Sequence, residues 1–113
     1  VGVYASARGW IQMDFEQRET ASQIIEAHRH DPYSGGWAWP AAPFNWSLYL
    51  FYGGDIRVGE LPWLREQLAA LAAMPPVDED DDRPEGLFVI SVETSDTDEV
   101  WRIRDGRITA GEP

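Results

Sequence analysis

The stretch from Ser34 to Asp55, SGGWAWPAAPFNWSLYLFYGGD, constrains the fold more than any other part of the chain. It holds three of the six tryptophans; glycine and proline punctuate its first half, and strict alternation fills its second. Trp46, Leu48, Leu50 and Tyr52 alternate with Ser47, Tyr49 and Phe51. A strand that is apolar on both faces is expected to lie centrally in its sheet, covered on each side. Gly53-Gly54 is expected to end it. Gly35-Gly36, Pro40 and Pro43 forbid a long regular element just before, so residues 31–45 read as an irregular aromatic loop. That loop either folds back to cap the sheet or offers Trp37 and Trp39 as recognition anchors.

The rest of the chain arranges itself around that strand. Residues 3–13 read as a strand with Gly9, Ile11 and Met13 on one face and Arg8, Trp10 and Gln12 on the other, partly covered on both. Gly9 is expected to admit a neighbouring ring close to the backbone or to mark a bulge. Asp14 with Gln17 three residues later forms a capping box, and the helix it opens is expected to reach Arg29. Ala21, Ile24, Ile25 and His28 fall on one buried stripe of that helix, and Asp31-Pro32 stops it. Leu61-Pro62 starts a second helix, with Leu61, Leu64, Leu68, Leu71 and Ala72 as its apolar stripe and Trp63 off it, packed on an adjacent loop. Pro75-Pro76 terminates it. Residues 77–85 (VDEDDDRPE) are an acidic linker, and 86–92 (GLFVISV) a buried strand. After a polar turn, residues 100–104 pair through a type I′ turn at Asp105-Gly106 with the short strand 107–109. The tail 110–113 is expected to fray. The order β-α-β-α-β-β-β predicts one α+β domain over residues 1–113. It is a two-layer sandwich with two helices packed on one face of a mixed or antiparallel sheet.

Charge narrows the function. Twenty acids against nine bases, all nine of them arginine, give a formal net charge of -11. A field of that sign repels phosphate backbones, which argues against nucleic acid, and steers a basic protein toward the chain. Cysteine is absent, which removes disulfides and thiolate chemistry. No apolar run approaches 18 residues and no leader-like segment opens the sequence, so no membrane span and a cytoplasmic location are expected. His28 and His30 stand i, i+2 on diverging helix faces, poorly placed to share a metal, and the acidic run lacks the glycine and glutamate spacing of a calcium loop. No metal or cofactor is expected. Nor does the chain carry a nucleophile elbow, a phosphate loop or an H-E-x-x-H motif, so it reads as a binding protein rather than an enzyme.

The residues proposed for partner binding are Trp37, Trp39, Asp55, Asp80, Asp81 and Asp82. The alternative is a small-molecule binder or enzyme with a pocket under the loop 34–43, lined by Arg8, Asn45 and Arg102. A third arrangement is a homodimer through a self-complementary patch.

Certain stretches resemble a known family. They are Gly9-Trp10 on the first strand, a tryptophan-bearing strand, a Leu-rich helix, G-L-F-V-I (Gly86–Ile90) and V-W-R-I-R-D-G-R-I (Val100–Ile108). In this order they resemble the α+β immunity proteins of bacterial polymorphic toxin systems, the immunity protein 7 group most closely. The resemblance implies a cytosolic inhibitor that binds and blocks a cognate toxin and carries no catalytic residues. Replacing Asp80–Asp82 by asparagine is therefore expected to slow association with a basic partner and flatten its salt dependence in stopped-flow measurements. Unchanged rates at low salt contradict the steering role.

Overall fold

Strand β1 (Tyr4–Met13) pairs antiparallel along its whole length with β3 (Leu48–Arg57) on one side, and on the other with β4 (Glu85–Val92). The computed structural model describes residues 2–42, 46–77 and 82–111. The two-residue strand β2 (Trp37–Ala38) extends the sheet beyond β3, while β5 (Glu99–Arg104) and β6 (Arg107–Gly111) extend it beyond β4. The result is a six-stranded antiparallel sheet in the order β2-β3-β1-β4-β5-β6. Helices α1 (Arg18–Ala27) and α2 (Leu61–Ala72) pack against one face of it. The expected α+β sandwich is present, with β2 as an added strand. Among the described residues no helix is long and apolar enough to cross a membrane.

Local chemistry explains the helix boundaries. Asp14 accepts a hydrogen bond from the Glu16 N–H, and the Gln17 side chain accepts one from the Asp14 N–H, closing the expected capping box over a short 3-10 turn, Phe15–Gln17. Helix α1 then ends at Ala27, two residues before the expected Arg29, because His28 leaves helical geometry. The His28 carbonyl accepts a hydrogen bond from the indole of Trp63 on α2 instead. His28 itself is exposed, a correction to its place on the buried stripe. In α2 the stripe is as expected: Leu64, Leu68 and Leu71 are wholly buried, each contributing about 1.5–3 kcal/mol of transfer free energy.

The covered face is built from alternate residues: Ala5, Ala7 and Ile11 of β1, Leu50 and Tyr52 of β3, and Phe88 of β4. Four expectations for the strands need correction. First, the central position belongs to β1; β3 lies one strand from the edge. Secondly, among the described residues no helix lies on the other side of the sheet, so Tyr49 and Phe51 stay 37% and 46% exposed, and β1 too is covered by helices on one face only. Thirdly, β3 passes through Gly53-Gly54 to Arg57, because Arg8, Ala7 and Ser6 of β1 continue the ladder opposite these residues. Fourthly, Ala110 and Gly111 do not fray; they pair with Trp101 and Val100. The Asp105-Gly106 turn has positive φ at both residues, 55° and 77°, as a type I′ hairpin requires.

Gly9 behaves as a close-approach glycine. A Cβ there would overlap the Leu87 carbonyl oxygen and lie 2.5 Å from the Phe88 ring, which occupies the place of the missing side chain. Gly9→Ala is expected to destabilise the domain by about 1–3 kcal/mol through overpacking, read as a lower urea midpoint. An unchanged midpoint contradicts this packing.

Candidate partner-binding site

Antiparallel order decides which loops meet. β1 runs out of the sheet at Met13, β3 and β4 enter it at Leu48 and Glu85, and the β5–β6 turn sits at Asp105, all at the same end. There they form a cleft of about 760 Å³ lined by Gln12, Asp14, Trp46, Asp82, Glu85 and Asp105, with Arg83 also on its wall. Gln17 anchors its base. Its carboxamide accepts from the Asp14 N–H at 2.9 Å and donates to the Pro75 carbonyl at 2.9 Å, so both ends of a buried polar group are satisfied. Gln12 donates to the Ser47 hydroxyl at 3.1 Å and fixes the approach to β3. Four carboxylates and one guanidinium thus line the cleft together with Trp46, which is 84% exposed. The expectation that Trp46 belongs to the core is corrected. It precedes β3 rather than forming part of it, so the sheet does not cover it.

The residues expected to bind a partner do not gather in one place. Only Asp82 lines the cleft; Asp80 and Asp81 lie outside the described residues. Asp55 lies on the bare face near the other end of the sheet, where it accepts from the Ser6 hydroxyl at 3.2 Å. Trp37 and Trp39 both pack against the core, so the aromatic loop takes the capping alternative. Trp37 meets Tyr52 edge-on at 4.8 Å and Phe88 at 6.2 Å, and the Arg18 guanidinium covers Trp39 at 5.0 Å. Gly36 makes the fold-back feasible: a Cβ there would stand 2.6 Å from the Gly53 carbonyl and 2.8 Å from the Tyr52 ring.

The alternative pocket under this loop loses its polar lining. Arg8 and Arg102 project from the bare face, on strands separated by β4, whereas Trp37 packs on the helix-covered face. Asn45 lies outside the described residues. A smaller cavity of about 350 Å³ opens elsewhere, between Leu61 at the start of α2 and Trp101, Ile90 and Val92 of the sheet. His30 is held by Glu60 at 3.1 Å and packs edge-on against Tyr33 and Trp63. Among the described residues no group of three or more His, Asp or Glu is placed to hold a metal ion.

Sequence reasoning missed Trp46 and the bare-face rings for one shared reason. Alternation that is apolar on both sides predicts burial on both sides. The available signal was the helix count, since two helices placed on one face leave nothing to cover the other. Comparison with family models, with curated proteins and with solved structures gives no significant match, so the site rests on its own geometry.

The packed loop has a measurable alkaline signature. The Tyr52 phenol donates to the Tyr33 carbonyl at 2.7 Å, and burial, followed by the neighbouring Tyr33, pushes its pKa up from 10.0 to about 12. The unfolded chain releases this proton first, so the stabilisation is complete below pH 10 and is lost as pH rises through about 12. Tyr52→Phe is expected to reduce that alkaline loss by about 1–2 kcal/mol in denaturation curves taken across the interval. Parallel losses in the two proteins contradict the assignment.

Proposed function

We propose that this chain acts by binding a basic protein, with a lysine or arginine side chain of the partner entering the cleft beside Trp46. The single observation that carries the reading is the 84% exposed indole lining one cleft with Asp14, Asp82, Glu85 and Asp105. A cation gains from both features at once, from the carboxylates by charge and from the indole face by its quadrupole. Large exposed rings and matched charges are also the usual composition of an interface hot spot with a steered approach. The net charge of -11 supplies the long-range attraction.

The sequence resemblance to the immunity protein 7 group gives the partner a class: a toxin domain that this chain binds and neutralises in the bacterial cytoplasm. Inhibition then comes from occupying the toxin's surface, and no reaction is assigned to this chain.

The test pairs the chain with the product of any toxin-like reading frame found beside its gene. Co-expression is expected to restore growth to a host that the toxin alone arrests. Trp46→Ala is expected to weaken the complex by about 30-fold or more, the scale of a hot-spot residue. The double variant Glu85→Gln, Asp105→Asn slows association at low salt. A complex that forms with the affinity of the wild type in both variants overturns the cleft as its site. Absence of binding to any neighbouring toxin product overturns the immunity reading.

A further inference from the structure

The bare face of the sheet has a pattern of its own. Reading across the paired strands, one row holds Phe51 of β3, Trp10 of β1 and Leu87 of β4. The adjacent row holds Gly53, Arg8 and Val89 in the same columns. Tyr49 stacks on Phe51 at 6.1 Å and meets Trp10 at 5.8 Å, which makes a ridge of three rings. Next to the ridge Gly53 leaves a hollow, since a Cβ built there meets no atom within 4 Å. Knob and hollow thus lie two residues apart on one strand and on one face.

We infer that this face pairs with a second copy of the chain about a two-fold axis in the plane of the sheet, at right angles to the strands, between those two rows. A rotation about that axis keeps each strand over its own copy and exchanges the rows. Phe51 then enters the hollow at Gly53 of the other chain, twice over. Leu87 meets Val89, and the Arg8 guanidinium lies over Trp10.

The polar rows agree with the same register. One row outward from the rings stand Tyr49, Gln12, Glu85 and Arg104; one row outward from Gly53 stand Asp55, Ser6, Ser91 and Asp98. The rotation sets Arg104 over Asp98, Tyr49 over Asp55, Gln12 over Ser6 and Glu85 over Ser91. Each charged group of these rows meets an opposite or a neutral one. Asp98 is already oriented on the bare face, accepting from the Ser91 hydroxyl at 2.7 Å, which in turn accepts from Arg8 at 2.6 Å. The size also fits. Strands of ten, ten, eight, six and five residues, at about 3.3 Å per residue and about 4.8 Å apart, give a face of about 600 Å², the lower end of the per-partner area of a standard interface, about 600–1,000 Å². An axis on the Phe51 row sets Arg102 on itself, and one on the Gly53 row sets Arg8 on itself and Phe51 on the Asp55 row, so the neighbouring registers bring like charges together.

Sedimentation equilibrium of the full chain tests the pairing. The wild type is expected to show a monomer–dimer equilibrium. Phe51→Arg, which removes the knob, and Gly53→Leu, which fills the hollow, are each expected to shift it to monomer with the circular dichroism spectrum unchanged. Arg104→Asp and Asp98→Arg are each expected to weaken the dimer by roughly tenfold or more, and the double variant to recover most of that loss. Trp46→Ala, at the cleft, is expected to leave the equilibrium unchanged, which separates this contact from the toxin-binding reading. A wild type that remains monomeric at all accessible concentrations overturns the inference. A dimer insensitive to Phe51→Arg and Gly53→Leu overturns it equally.

Discussion

Two helices of ten and twelve residues cover one face of a six-stranded sheet and leave the other bare. Everything else in the molecule follows from that one-sided cover. Apolar residues on the covered side are sealed, and the same alternation places Trp10, Tyr49, Phe51 and Leu87 on the bare side. The loop before β3 settles on the covered side as well, where Trp37 adds an aromatic contact to Tyr52 and Phe88. A sheet stabilised from one side keeps a flat surface free for contact at no cost to its own core.

Elements whose local signals and tertiary context agree were legible in the sequence. The capping box at Asp14, the leucine stripe of α2 and the Asp105-Gly106 turn are set by hydrogen bonding, periodicity and backbone sterics over a few residues, and the structure has them where the sequence puts them. Elements decided by distant partners were not. Gly53-Gly54 reads as a stop by propensity, yet β1 supplies a ladder that carries β3 four residues beyond Gly53 to Arg57. Helix α1 ends at Ala27, and the indole of Trp63, 35 residues away, donates to the His28 carbonyl just beyond it. The aromatic loop offered two alternatives of equal standing locally; Gly36 and the Tyr52 ring decide between them.

The candidate site was less legible than the fold. Acidic residues were visible as a total but not as a cleft, because Asp14, Asp82, Glu85 and Asp105 meet only when four chain segments reach the same end of the sheet. Arginine shows the complementary effect. Arg8, Arg57, Arg102, Arg104 and Arg107 all fall on the bare face, so a chain of charge -11 still carries a surface rich in cations. The cleft proposed for a basic partner and the bare face proposed for a second copy adjoin at Gln12 and Glu85, which belong to both.

The most direct test of where the aromatic loop and the cleft tryptophan lie is the solvent exposure of individual indoles. In a nitrogen-15 NMR spectrum, a soluble paramagnetic relaxation agent attenuates side-chain N–H signals according to their access to solvent. The Trp46 signal is expected to be attenuated most strongly, while Trp37, whose indole nitrogen is sealed from solvent, and Trp101, 4% exposed, keep theirs. Attenuation of Trp37 to the level of Trp46 contradicts the account, since it places the aromatic loop in solvent and returns the recognition surface to it.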